Sequence, residues 1–257
     1  MGVLSAAAKA RLAAQNNADL HAAIFKAHGL RFHRDDVAFF GLDEPPPYYA
    51  RLVTLDPGAS AQQMACLMAA SSEHGAIGPV KDSFSQLNAA QLGMEVLFEA
   101  SWIWRTGDCV KVSPELQMDM GDGQLNGWSK AQTATDLFEW HNAWSCSGSP
   151  TSETIFPRAC LADRTLIFLA RRSAGKIDAG CIANLSDRTI GLSNVFSTQA
   201  QDTIFEEAAT VVASVAPNRP IVGYESGAHF AMALSAGFEA VGALRVLIRT
   251  HAGSEVK

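Results

Sequence analysis

Apolar positions change their period repeatedly along the chain, and each change predicts an element. Residues 3–14 and 18–28 are rich in Ala and Leu at helical spacing and predict two helices. Asp36–Phe40 reads as a short strand. Glu44-Pro45-Pro46-Pro47 follows it as a rigid connector, because proline cannot donate to a central ladder. Arg51–Leu55 reads as a strand. Pro57-Gly58 then turns the chain, and Ser60 with Gln63 has the pattern of a capping box opening a helix to about Ser72. Ala76–Val80 is strand-like, Ser83–Leu92 is helical with Gly93 as its stop, and Glu95–Arg105 is a long strand. Beyond a polar, glycine-rich stretch over 107–127, a helix runs from about Thr133 to Trp144. Its Leu137, Trp140 and Trp144 share one face, as a core stripe does. Thr165–Arg171, Ile177–Asn184 and Thr189–Phe196 predict three strands, joined by turns at 173–176 and 186–188. A helix over 202–215, a strand over Pro220–Glu225, a helix over Gly227–Ala236 and a strand over Ala240–Arg249 complete the pattern. Strands alternating with helices specify an α/β chain built on a mixed sheet of the α+β kind.

Composition narrows the function classes. Of 257 residues, 48% are hydrophobic, enough for a sizeable core. The net charge of −6 argues against a nucleic-acid partner, which requires a basic face to neutralise phosphates. No run of about 18 apolar residues reaches across a bilayer, so no membrane partner is expected. Lys9 and Arg11 are not followed by an apolar run, as a secretory signal requires, and Ala6 stands where a myristoylation motif has Ser or Thr. The five cysteines are odd in number and lack C-x-x-C spacing, which disfavours disulfides and zinc and suits buried thiols in a reducing cytoplasm. Asp119-Met120-Gly121-Asp122-Gly123 lacks the remaining ligand spacing of a calcium loop and reads as a solvated linker. No metal site is expected, and a domain boundary is placed there, dividing the chain into 1–125 and 126–257.

The two parts share an internal similarity. Ala89–Thr106 (AAQLGMEVLFEASWIWRT) aligns without gaps on Ala233–Thr250 (ALSAGFEAVGALRVLIRT) at a constant offset of 144 residues, as between Gly93 and Gly237. Ala, Gly, Glu, Arg and Thr coincide. The same offset lays the 51–55 strand over 195–199 and Val80-Lys81 over Tyr224-Glu225. Strand, helix, strand, helix, strand is therefore expected twice in one register. Two unrelated segments sharing helix–Gly–strand punctuation are the other explanation.

Several segments of the second part resemble a known superfamily. Ala179–Ser197 (AGCIANLSDRTIGLSNVFS) looks like the central hairpin and strand of the GNAT acetyltransferases, and Ile221–Arg249 resembles their closing strand–helix–strand unit. Gly237-Phe238-Glu239 is similar to the G-F-E/K turn common in that superfamily. The likeness covers about 126–250, and residues 48–106 resemble the later elements of the same fold with reduced opening strands. It implies two acyl-CoA N-acyltransferase-like halves, the first reduced. It also implies acetyl-CoA or another acyl-CoA as cosubstrate, and a small-molecule amine as the other substrate. A homodimer is compatible with it.

The resemblance places the donor along a splayed strand, here Val195, Phe196, Ser197 and Thr198, with Ser226 facing it. GNAT enzymes follow that strand with a Q/R-x-x-G-x-G/A loop whose glycines admit a pyrophosphate at a helix N-terminus. This chain has Phe196-Ser197-Thr198-Gln199-Ala200-Gln201-Asp202-Thr203, without glycine or arginine. Asp202, Glu206 and Glu207 crowd the helix start, and Thr203 with Glu206 matches a capping box. The tyrosine that commonly precedes the Gly-Phe turn by four residues is Ala233 here, and Ala89 in the first part. Ser226 stands where an asparagine often lies. Tyr224, Glu225 and His229 gather at a strand end, where open α/β sheets keep their sites, with Glu225 suited to accept an amine proton and His229 to relay it. Each also has a structural reading: a helix cap for Ser226, packing for Tyr224, an ordinary helix histidine for His229. Acyl transfer to a small amine and a catalytically inactive ligand- or protein-binding module are the two functions this pattern admits.

Overall fold

The computed structural model describes residues 4–74, 78–107 and 127–249. The acidic stretch 119–123, the expected boundary at 125/126 and Cys109 lie outside the described residues.

The chain opens with α1 (Ala6–Ala27), a hairpin of β1 (Phe32–Arg34) and β2 (Ala38–Gly41), then β3 (Leu52–Thr54), α2 (Ser60–His74), β4 (Val80–Asp82) and β5 (Met94–Arg105). Next come β6 (Trp128–Lys130), α3 (Ala134–Cys146), β7 (Leu166–Ser173), β8 (Lys176–Leu185) and β9 (Ile190–Ser197). The last described elements are α4 (Ile204–Val215), β10 (Ile221–Glu225), α5 (Gly227–Ser235) and β11 (Glu239–Arg249).

All the strands join one mixed 11-stranded sheet in the order β1-β2-β3-β4-β11-β5-β10-β9-β8-β7-β6. Its centre is an exchange. β11 lies against β4, and β5 lies against β10, with β5 and β11 antiparallel to each other. Outward from that central pair the ladder types repeat on both sides: antiparallel, parallel, antiparallel, antiparallel. β6 adds one more strand on the far side. The last strands of the aligned segments, β5 and β11, match the 144-residue offset at their C-terminal ends and differ from it by one residue at their N-terminal ends.

Helices cover both faces. Alternating residues divide the sheet between two sets of cores: Val53, Trp102, Val222 and Val246 face α1, whereas Ile103 and Ile221 face α4 and α5, and Leu52 and Leu247 face α2. α3 shares the α1 side, where Trp140 and Trp144 pack with Leu20 and Ile24. Alanines at 10, 13, 14, 18 and 22 let α1 lie close to the sheet: a Cβ on Gly242 of β11 would come within 3.1 Å of Ala10 Cβ.

Four local expectations are corrected. The two opening helices are a single α1, because Asn16 and Asn17 do not break it. Their side chains leave their own backbone alone and bond across to Asn184 O (3.2 Å) and Lys81 Nζ (2.9 Å). Ser83–Leu92 is not a helix. The Asp82 carboxylate takes the N–H groups of Gln86 (3.0 Å) and Leu87 (2.9 Å), and Ser85 has a positive φ of 55°. The Ser60–Gln63 capping box does not form, since Gln63 is buried and donates to the carbonyls of Val37 (2.9 Å) and Asp56 (3.0 Å). The Thr203–Glu206 box does not form either: Thr203 donates instead to Glu207, at 3.2 Å. By contrast Gly237 follows α5 with φ 82°, the left-handed stop its position predicts.

Candidate functional site

β9 and β10 begin as parallel neighbours and then part. They pair only at Ile190–Ile221 and Gly191–Val222. Gly223 permits the last close approach, since a Cβ there would stand 2.5 Å from Leu192 O. Beyond it, β9 slips in register against β8 between Ser193 and Phe196. Asn194 takes φ 53° at that bulge, a conformation asparagine tolerates better than most residues. Gly180 on β8 makes room for the displaced Phe196 ring, which a Cβ would meet at 2.4 Å.

The parting opens a cavity of about 680 Å³ that runs from the splay to the foot of β4 on the α1 side. Its lining includes Ser193–Phe196 of β9, Tyr224 and Glu225 of β10, and His229 of α5. Ser193 Oγ is sealed from solvent and has no hydrogen-bond partner among the described residues, an orphan that a ligand atom can satisfy. Glu225 Oε2 lies 3.7 Å from His229 Nδ1. Burial raises the Glu225 carboxyl above its ordinary range, opposed by the histidine; His229 is raised chiefly by the adjacent Glu225 carboxylate. Phe205 holds the imidazole edge-on, ring centroids 5.6 Å apart. Burial, and secondly the charge on Glu225, pushes the Tyr224 phenol up to about 12, so it keeps its proton at neutral pH.

The inner end of the cavity contains groups that sequence reasoning did not select as a site. Lys81 on β4 is buried, donates from Nζ to Asn17 Oδ1 at 2.9 Å and stands 4.3 Å from the centre of the Tyr224 ring. Burial pushes its ammonium down to about 7. His21 of α1 accepts from Ala50 N at Nε2 (3.2 Å), which leaves the proton on Nδ1 to donate to Asn17 O (2.8 Å). It is thereby fixed as the neutral tautomer. Burial first, then the Lys81 charge, holds its pKa well below the ordinary value. Trp102 stacks edge-on to Tyr224 at 5.6 Å and donates to Ser83 O at 2.7 Å. The signal in the sequence was the offset that pairs Lys81 with Glu225.

The expected residues divide. Tyr224, Glu225 and His229 come together in one cavity with Val195 and Phe196. Ser197 and Thr198 turn away from it: Thr198 donates its N–H to Asp178 O (2.8 Å), and both hydroxyls lie near the same carbonyl. Ser226 is the N-cap residue of α5 but makes no side-chain cap bond. The acidic start of α4 is offset by a cation that the sequence did not associate with it. Arg171 of β7 bonds Asp178 (3.0 Å), Glu207 (2.5 Å) and Gln201 (2.9 Å). His141 packs against Trp144 and Phe156, as a structural residue. Among the described residues no three metal-ligating side chains cluster, and no helix is long and apolar enough to cross a membrane.

No family model and no curated relative matches this sequence. Solved structures match its fold. A GCN5-related N-acetyltransferase from Kribbella flavida superposes with TM-score 0.58 at 10% identity, covering 93% of this chain and 96% of that one. A putative GNAT-family acetyltransferase from Novosphingobium aromaticivorans gives TM-score 0.52 at 13% identity, covering 90% and 97%. Saccharomyces cerevisiae N-myristoyltransferase with bound myristoyl-CoA gives 0.50 at 10% identity, covering 84% and 64%. The mixed α/β architecture is thus that of the acyl-CoA N-acyltransferase fold.

Proposed function

We propose that this chain transfers an acyl group from acyl-CoA to a small amine, with the donor laid along the splayed part of β9. The observation that carries this reading is the meeting, in one cavity, of a bulged strand that leaves its neighbour and a half-buried carboxylate beside an imidazole. Structural neighbours that are N-acetyltransferases or hold an acyl-CoA support it. The two halves, 1–125 and 126–257, are read as duplicated units, the first reduced; the mirrored ladder types about β5 and β11 support that reading.

In the reaction, Glu225 takes a proton from the bound ammonium and relays it to His229. The freed amine attacks the thioester carbonyl, an N–C bond forms, and the C–S bond breaks with the electron pair leaving on sulfur. In this reading the protonated Tyr224 phenol donates to that thiolate and is reprotonated by the second proton that the nitrogen sheds as it becomes the amide. Holding both reactants in one slot supplies much of the acceleration.

A specific observation favours the second reading, an inactive binding module. The 196–203 loop has no glycine, Thr198 N–H is committed to Asp178 O, and Arg171 is already occupied by Asp178, Glu207 and Gln201. No diphosphate cradle of the usual kind is left there. Calorimetric titration with acetyl-CoA, followed by thiol release in the presence of amines, decides between the two. Binding with turnover supports transfer; binding of neither CoA nor acetyl-CoA overturns it.

A further inference from the structure

We propose that Lys81 is the docking point for a carboxylate, so that the acceptor is an amino acid-like molecule held by its carboxylate at Lys81 and presenting its amine toward Glu225. The proposal rests on the acyl-transfer reading for the fate of the amine, but not for the docking itself.

Lys81 is 3% exposed, and an ammonium has three donors. One goes to Asn17 Oδ1, and the face of Tyr224 covers another side. Among the described residues the remaining donors have no partner, and no carboxylate offsets the burial: desolvation alone accounts for the depressed pKa. A buried cation without an anion is costly, so a ligand that brings a negative charge to Lys81 has much to offset. The lysine lines the cavity, so a ligand can supply it. The groups packed around it agree. His21 from α1 is fixed neutral with both ring nitrogens engaged, and Tyr224 from β10 and Tyr49 are held as neutral phenols by burial. The neighbouring Asp82 is taken by Gln86, Leu87 and Arg245. Among the described residues no anion at the inner end competes with an incoming carboxylate for Lys81. At the outer end Glu225 offers the complementary charge for an ammonium. A zwitterion therefore has a partner for each of its ends, and a plain alkylamine for only one.

The test uses calorimetry on the full chain without CoA. Glycine, β-alanine, 4-aminobutyrate and 6-aminohexanoate are each compared with the alkylamine of the same length. At least one amino acid is expected to bind tenfold or more tightly than its amine, and Lys81→Met to abolish that preference while leaving amine binding within about twofold. Because Lys81→Met alters a buried site, a second measurement uses the wild type alone. Propionate titrated at pH 7.5 in buffers of different ionisation enthalpy is expected to draw a proton from solvent as it binds. Equal affinities for acids and amines, a preference that survives Lys81→Met, or binding of propionate without proton uptake would each overturn the proposal. Turnover with amines but no preference for carboxylates removes the docking and keeps transfer. Lysine-dependent amino-acid binding without turnover keeps the docking and removes transfer.

Discussion

The two places where a strand pair of this sheet can open behave differently. In the second half, β9 and β10 share two paired positions and then diverge. In the first half, β3 and β4 share two as well, at Leu52–Val80 and Val53–Lys81, but do not diverge. Thr54 at the end of β3 accepts from Ser83 N (2.8 Å), just past β4, and stitches the strands together. All six residues of β3 and β4 are buried, whereas Gly223–Glu225 of β10 are partly exposed. One side-chain bond on one side, and one bulge with Asn194 on the other, turn similar ladders into a closed seam and an open slot. The closed seam buries an amine; the open slot presents a carboxylate.

Changes that act on one seam and spare the other sharpen this contrast. The largest effect is expected from Glu225→Gln, which keeps the shape and removes the proton acceptor. Acyl transfer should fall by about 10²–10⁴-fold in kcat/KM, with little change in the melting temperature. In the wild type, kcat/KM should rise with pH along an acidic limb displaced above the ordinary carboxylate range, because burial raises Glu225. A pH–rate profile checks both; an unchanged rate in Glu225→Gln removes this residue from the chemistry.

Lys81 sets the next effect. Its folded pKa of about 7 lies below its unfolded value, so between pH 7 and roughly 10.5 the unfolded chain holds a proton that the folded chain lacks. Stability should therefore rise with pH in that window, by up to ~1.4 kcal/mol per unit. Lys81→Met should flatten the rise in urea titrations at several pH values. A slope the same in both proteins contradicts the assignment.

Gly223→Val forces a side chain against the Leu192 carbonyl where β9 and β10 last meet. It should cost about 1–3 kcal/mol and weaken donor binding, read by thermal melts and acetyl-CoA titration. The smallest effect belongs to Thr54→Val, which strands the Ser83 N–H. A loss of about 1 kcal/mol is expected, with faster amide exchange at Ser83 and no change at the second seam. Protection unchanged at Ser83 would mean that this bond does not close the first half.

What could be read from sequence follows the range of the forces. β5, β7–β9, β10, β11, α3–α5 and the stop at Gly237 depend on local period and punctuation, and they appear where the pattern places them. Tyr224, Glu225 and His229 meet because strand end and helix start are adjacent in the chain. The losses involve partners far apart. Asn16 and Asn17 look like helix breakers until Asn184 and Lys81 arrive from other elements. Ser83–Leu92 has helical composition, but the Asp82 carboxylate competes for its N–H groups. Arg171 reaches Glu207 across 36 positions of sequence, so the acidic start of α4 appeared uncompensated. Ser197 and Thr198, expected at the donor, have bonds to Asp178 O of β8 that the local pattern does not reveal.

The exchange of β5 and β11 also sets a timetable. β11 is the last described strand along the chain, yet it belongs at the middle of the sheet, between β4 and β5. A growing polypeptide leaves the ribosome long in possession of β4 and β5 before the strand that separates them exists. Through that interval both carry bare edges, which invite pairing with the wrong strand or another molecule. The sheet cannot knit outward from its centre until β11 has been made, so β4 and β5 must wait for it. Pairing between strands so far apart in the chain slows folding, and here that pairing is the centre of the sheet.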